Sequence, residues 1–245
     1  MTAEQHPTDL SYNPHLPLSQ ALLLPRIAIE STMPVIEGGQ FAAKAVAGQD
    51  VTVTSKVFAD GHDKLAVHIL WRALKDESWN NAVMTELGNN GWQGQFNVPE
   101  QGFYVFRIEA WIDQFASFRY ELEKKFAAGV PISLELQEGR NQVQMAAERS
   151  EGELREQLTA LHHELSGLLP AEQVALFLAP RSAGLMSQAD HRPYLSISPQ
   201  YPLDVERKLA EFASWYELFP RSITDEPKRH GTFNDVHSRL AVIQD

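Results

Sequence analysis

Gly102-Phe103-Tyr104-Val105-Phe106-Arg107-Ile108-Glu109-Ala110-Trp111-Ile112 is the longest stretch of the chain that alternates with period two. Successive side chains of a strand point to opposite sides, so Tyr104, Phe106, Ile108, Ala110 and Ile112 share one apolar face. Such a face needs a second layer to cover it, and the chain upstream supplies one. Val51, Val53 and Val57 alternate with Thr52, Thr54 and Lys56, while Leu65, Val67, Ile69 and Trp71 alternate with Ala66, His68, Leu70 and Arg72. Between Val83-Met84-Thr85 and Trp92-Gln93-Gly94-Gln95-Phe96, the Asn89-Asn90-Gly91 triplet marks a hairpin, because Asn and Gly tolerate the positive φ of tight turns. Strands at roughly ten-residue spacing with polar turns predict an immunoglobulin-like β-sandwich over residues 26–113.

Downstream the period changes. Phe115, Phe118, Leu122 and Phe126 lie on one helical stripe that Gly129-Val130-Pro131 ends. Ser150 and Glu153 match a capping box at the start of a helix running to Leu169. In it Leu154, Leu158, Leu161, Leu165 and Leu168 recur at alternating fours and threes as a packing seam. Pro170 and Pro180 delimit a further short helix, Ala171 to Ala179. Residues 114–191 therefore read as a small helical bundle inserted into, or appended to, the sandwich. Residues 192–211 read as a crossing segment, with Leu203-Asp204-Val205 as a strand returning to the sandwich. Phe212 to Phe219 is an apolar run of strand length, as in strands buried on both faces of a parallel sheet. With the amphipathic stretch after it, residues 212–245 predict the first βα unit of a truncated (β/α)8 barrel, whose partner strands would lie beyond Asp245. Residues 1–25, with Pro7, Pro14, Pro17 and Pro25, read as a flexible tail.

At 245 residues and 43 % apolar composition the chain can bury a sizeable core. Its formal net charge of -11 opposes contact with a phosphate backbone, which excludes nucleic acid as a partner. Neither a disulfide framework nor a thiolate metal site is possible without cysteine, and a cytoplasmic setting fits. The apolar run Ala21 to Leu24 is far too short to span a membrane, and no signal peptide is evident.

Six strings then occur together: Ala59-Asp60-Gly61-His62-Asp63, Leu87 to Trp92, Ala110 to Ala116, Leu122-Glu123-Lys124-Lys125, Trp215 to Ser222 and His230 to Val236. In this order they resemble the N-terminal third of the bacterial α-1,4-glucan:maltose-1-phosphate maltosyltransferase family, of the α-amylase superfamily, from about Pro25 to the last residue. The likeness is weakest between Arg140 and Tyr201. The resemblance implies a β-sandwich N-domain, a helical insertion that helps form a homodimer, and a barrel carrying the active site. It also implies retaining transfer of maltosyl units from α-maltose 1-phosphate to an α-1,4-glucan. That chemistry needs a nucleophilic carboxylate and a second carboxyl as acid and base. In barrels these groups sit at the C-terminal ends of strands, and the resemblance places them after the first one. No catalytic, cofactor-binding or metal-binding residue is therefore expected here, and no cofactor. The chain by itself is expected to be an inactive scaffold and dimerisation region. The alternatives are a carbohydrate-binding module or the front end of a branching or trehalose-forming relative.

Several residues carry competing readings. Glu217, on the expected barrel strand, is the one carboxylate open to a catalytic reading, but without a partner carboxyl it reads as a buried structural contact. His162-His163-Glu164 lacks the His-Glu-x-x-His spacing and reads as a solvated helix face. Asp60, His62 and Asp63 sit in a turn between strands that offers oxygens to a cation but reads as an ordinary oxygen-rich turn, and Lys124-Lys125 beside Glu121 and Glu123 reads as a solvated face with local ion pairs. Among Trp71, Trp79, Trp92, Phe103, Tyr104 and Trp111, mostly core by size, Trp92 beside its turn is the candidate for stacking on a glucan. The leucine seam reads equally as an internal core or as a contact between two copies.

Overall fold

The computed structural model describes residues 25–212 and 216–244; the expected tail up to Leu24 lies outside them. The hairpin at Asn89-Asn90 shows how the local sequence sets the architecture. Both asparagines adopt positive φ, 50° and 62°, as a two-residue type I′ turn requires. They join strand β6 (Thr85–Gly88) to β7 (Gly91–Asn97) with Gly88 opposite Gly91. These two strands complete a four-stranded antiparallel sheet in the order β1-β3-β7-β6, with β1 at Ile27–Met33 and β3 at Asp50–Ala59.

The second sheet is built around β8 (Gly102–Ile112), flanked by β4 (Leu65–Ala73) and β10 (Tyr201–Glu206), with β2 (Ala43–Val46) and β5 (Asn80–Val83) outside them. A short β9 (Ser196–Ile197) also pairs with β8, and β2 runs parallel to β10, the other pairs being antiparallel. Register puts Ile69 against Ile108 and Val67 against Ala110, so the apolar sets of both strands share a face. That face meets Ile27, Val51, Val53, Val57, Trp92 and Phe96 of the first sheet in one buried core. Withdrawing a side chain such as Phe106 from water there stabilises the fold by about 1.5–3 kcal/mol.

Five helices intervene between β8 and β9: α1 (Gln114–Ala127), α2 (Ser133–Arg149), α3 (Gly152–Gly167), α4 (Pro170–Leu178) and α5 (Pro180–Gln188). Because β8 and β10 pair in one sheet, the helices are an insertion within it. They pack around a second core, with Phe115, Phe118, Leu122, Val143, Leu158, Leu161, Leu165, Val174 and Phe177. Leu158, Leu161 and Leu165 are buried within the chain, so this part of the seam is internal. Gly139 has a specific purpose: a Cβ on it would overlap the ring of Phe118 and stand 2.7 Å from that of Phe177, so only glycine lets α2 lie against these two rings.

Three readings of the helices need correction. Ser150 and Glu153 form no capping box. Ser150 ends α2, its hydroxyl donating to the Ala146 carbonyl at 2.8 Å, while Glu153 accepts from Gln157. A helix ends immediately before it, so the serine meets an unpaired carbonyl there rather than the N–H groups of the next helix. Pro180 opens α5 instead of merely closing α4, since proline suits the first turn, where its missing N–H costs nothing. Helix α2 has no counterpart in the sequence reading.

At the other end, Phe212 and Tyr216 to Phe219 are irregular, and Ala213, Ser214 and Trp215 lie outside the described residues, so no strand is seen in the described part of 212–219. Helix α6 (Phe233–Gln244) follows. Its first turn is fixed by Asp235, which accepts from the Thr232 N–H at 2.7 Å and hydroxyl at 2.8 Å and pairs with Arg229.

Candidate functional site

With the even-numbered residues of β8 committed to the core, Arg107, Glu109 and Trp111 occupy its other face. Glu109 lies opposite His68 of β4. Its carboxylate is only 4 % exposed and is held on both oxygens: Arg107 Nη2 donates to Oε1 at 2.5 Å and Arg192 Nη1 to Oε2 at 2.9 Å. Arg192 comes from the segment between α5 and β9, where it takes a φ of 52°, a left-handed conformation uncommon for a side chain with a Cβ. Its guanidinium lies 4.6 Å from the centroid of Trp111, whose indole N–H donates to Asp190 at 2.5 Å; Asp190 in turn accepts from the Arg192 N–H at 3.0 Å.

His68 packs on Trp111 with ring centroids 4.6 Å apart, and its Nδ1 is 2.8 Å from Asn81 Oδ1. Burial holds its pKa below the ordinary value, and Arg192 acts in the same direction, against the hydrogen bond to Asn81. On the far side of Arg107, the Trp79 ring receives two guanidiniums, Arg107 at 4.4 Å and Arg72 at 5.0 Å. The arrangement is an ion-pair and cation–π cluster. It is no acid–base site, because both oxygens of Glu109 are occupied and no reacting atom can approach the carboxylate.

A polar cleft of about 450 Å³ runs between α1 and α2, lined by Asp63, Glu121, Glu135 and Glu138 with Asn141 and Gln142. A general acid at neutral pH needs a carboxyl pushed up in pKa. Glu135 is pushed the other way, chiefly by the hydrogen bond from Lys125 Nζ at 2.6 Å. Burial does raise Asp113, but that carboxylate is engaged as the N-cap of α1, accepting from the Ala116 N–H at 2.8 Å.

The residues singled out from sequence are scattered. Trp92 is 8 % exposed and its indole N–H donates to the Val57 carbonyl at 3.1 Å. Proximity to a turn suggested exposure, but the hairpin points this ring into the core, where it offers no free face to a sugar. Trp111 is also buried, Trp71 stacks on Phe96, and Phe103 is the exposed aromatic of the set. Glu217 is exposed on irregular chain, not buried in a structural contact. His163 and Glu164 face solvent, and Glu164 pairs with Arg181 at 3.0 Å. Asp60 pairs with Arg26 at 3.0 Å, and Lys125 with Glu121 and Glu135. Among the described residues no group of three or more His, Asp or Glu is placed to hold a metal ion. No helix among them is long and apolar enough to cross a membrane. Sequence reasoning passed over Glu109, Asp190 and Arg192. The available signal was a pair of charged residues, Arg107 and Glu109, on one face of a strand whose other face is apolar.

Residues 25–207 match the family model of the alpha-1,4-glucan:maltose-1-phosphate maltosyltransferase, domain N/S. Proteins of that name are similar to this chain in Pseudomonas aeruginosa (43 % identical, over 93 % of the chain and 34 % of the relative) and Burkholderia pseudomallei (38 %, over 93 % and 20 %). Another, from Chlorobaculum tepidum, is 34 % identical over 89 % of the chain and 33 % of the relative. The chain thus spans between a fifth and about a third of the length of these curated relatives.

Proposed function

This chain belongs to the α-1,4-glucan:maltose-1-phosphate maltosyltransferase N/S-domain family, and from that premise we propose that it is the non-catalytic scaffold of such an enzyme. The enzyme would move maltosyl units from α-maltose 1-phosphate to an α-1,4-glucan in the cytoplasm. In this reading the two sheets are an immunoglobulin-like sandwich spanning residues 26–113 and completed by 192–211. The insertion of 114–191 carries a homodimer contact, and 212–245 begins a (β/α)8 barrel. The observation that carries the proposal is the coincidence of the matched stretch, 25–207, with the sheets and their insertion. In that stretch the buried carboxylate Glu109 is closed off by two arginines, as suits a support and not a reaction centre.

The test is a chimera in which this chain replaces the matching N-terminal third of the Pseudomonas aeruginosa relative. Phosphate release from α-maltose 1-phosphate is measured with a maltooligosaccharide acceptor. The chimera should release phosphate and the chain alone none. Turnover by the purified chain alone, or a folded chimera without turnover, would refute the scaffold reading.

A further inference from the structure

The sheets and the helical insertion have separate hydrophobic cores with no residue in common. Two bodies joined this way move relative to one another by default, unless a large apolar interface fixes them. Trp111 is the informative exception: it is 4 % exposed yet belongs to neither core. It sits at the end of β8, one residue before the last strand position, where the chain leaves for the helices.

We infer that the segment from Asp190 to Tyr194 is a strap that clamps the helical insertion to the outer face of the second sheet, with Glu109, Trp111 and Arg192 as its positioning residues. Five contacts define it. Arg192 reaches the buried Glu109 and covers one side of Trp111. Asp190 holds the indole N–H of Trp111. The Pro193 carbonyl accepts from the Ile112 N–H at 3.1 Å. The Tyr194 ring lies 4.4 Å from the guanidinium of Arg26, itself paired with Asp60. Arg192 and Tyr194 both adopt left-handed backbone, at φ 52° and 58°, and neither is glycine. Residues in that region persist where surrounding contacts over-determine them, and here the over-determining contacts are those to the sheet.

The strap works against a single pivot. Where the chain enters the insertion, the Asp113 N–H donates to the Lys64 carbonyl at 2.8 Å, and the Lys64 N–H to the Ser117 hydroxyl at 2.8 Å. These bonds, with the Lys64 ammonium 4.5 Å from the centroid of the Tyr120 ring, all gather at the covalent connection around Lys64 and hold the insertion at that one point. The strap closes the second connection, after α5, and converts a hinge into a fixed angle. Any surface the insertion presents to another copy or domain inherits its orientation from this clamp.

The chain contains no cysteine, so two introduced ones take spin labels cleanly. Lys56→Cys on β3 and Glu148→Cys on α2 are both at exposed positions, one on each body. Double electron–electron resonance on the full chain should give one narrow distance distribution. Adding Arg192→Ala or Glu109→Gln should broaden it about twofold or more while far-ultraviolet circular dichroism keeps its helical signal. Lys125→Ala, which breaks an ion pair inside the insertion, should leave the width unchanged. If Glu109→Gln fails to fold, Arg192→Ala decides, because its side chain is partly exposed and its removal leaves Arg107 on the carboxylate. An unchanged width in a folded Arg192→Ala protein, a broad distribution before any clamp substitution, or equal broadening by Lys125→Ala would overturn the inference.

Discussion

Replacing Phe177 by alanine should melt the helical insertion while the two sheets stay folded. The ring is wholly buried and meets Phe118 edge-on at 5.1 Å and Phe115 at 6.5 Å. Truncating such a residue costs about 3–5 kcal/mol, since lost transfer energy adds to the cavity left behind. An insertion of roughly 75 residues has a stability of only ~4–11 kcal/mol, so the loss runs from about a quarter of it to all of it. At about 4–8 °C per kcal/mol, its melting point should fall by at least about 12 °C. The sheet core contains none of these rings and should not respond.

The distribution of tryptophan makes the experiment clean. All five, Trp71, Trp79, Trp92, Trp111 and Trp215, lie outside the insertion, with Trp111 touching its end through Asp190, so fluorescence is weighted to the rest of the chain while circular dichroism is dominated by the helices. In the Phe177→Ala protein the dichroism transition should move to lower temperature and the fluorescence transition stay near its original midpoint. Coincident transitions that shift together would refute the reasoning, because they would make the two cores one cooperative unit.

Gly139→Ala should destabilise the insertion by about 1–3 kcal/mol in urea unfolding, because the added methyl overlaps Phe118 and the packed rings have little room to move. Trp92→Ala should cost about 3–5 kcal/mol of sheet stability, a loss read by thermal unfolding. The response of a maltooligosaccharide titration should then track the fraction folded; a sugar affinity lost with stability intact would restore Trp92 as a binding residue. His68 gives a pH dependence. Its folded pKa lies below the ordinary 6.5, so the unfolded chain takes up the proton first. The stability it contributes is full above 6.5, declines as pH falls below that value, and stops declining once the lowered folded value is passed. His68→Gln should flatten this part of the stability profile, and an unchanged slope there would remove burial as the cause.

The legible parts of this fold are those in which one strand or helix decides its own burial. β8 announces its inner face because five apolar residues alternate with a different set, and Asn89-Asn90 its hairpin because few residue types accept two positive φ values in succession. Helix α3 shows in its leucines for the same reason. Helix α2 does not, since several of its buried positions are Gly139, Ala146 and Ala147. Small residues mark close approach between helices, and their meaning depends on Phe118 and Phe177, which the local pattern does not contain. The cap at Ser150 failed for a related reason: a serine between two helices can serve the carbonyls behind it or the N–H groups ahead, and local spacing does not distinguish them.

The polar cluster is a harder case than any of these. Glu109 and Arg192 are separated by 83 positions and Trp111 and Asp190 by 79, with the whole insertion between them. No spacing rule reaches across such a distance. Yet a buried charge is costly unless it is paired, and breaking such a pair costs about 3–5 kcal/mol by leaving one charge stranded. Glu109, buried on the outer face of β8, therefore carries a requirement that sequence alone states without fully answering: its two oxygens need partners. Arg107 on the same face satisfies one oxygen and leaves the other. The remaining demand is met by Arg192, on the segment that the chain traverses from the helices back to the sheet. The carboxylate thus gives the return path a defined landing place, which is why the residue at that point takes a backbone conformation it would not otherwise adopt.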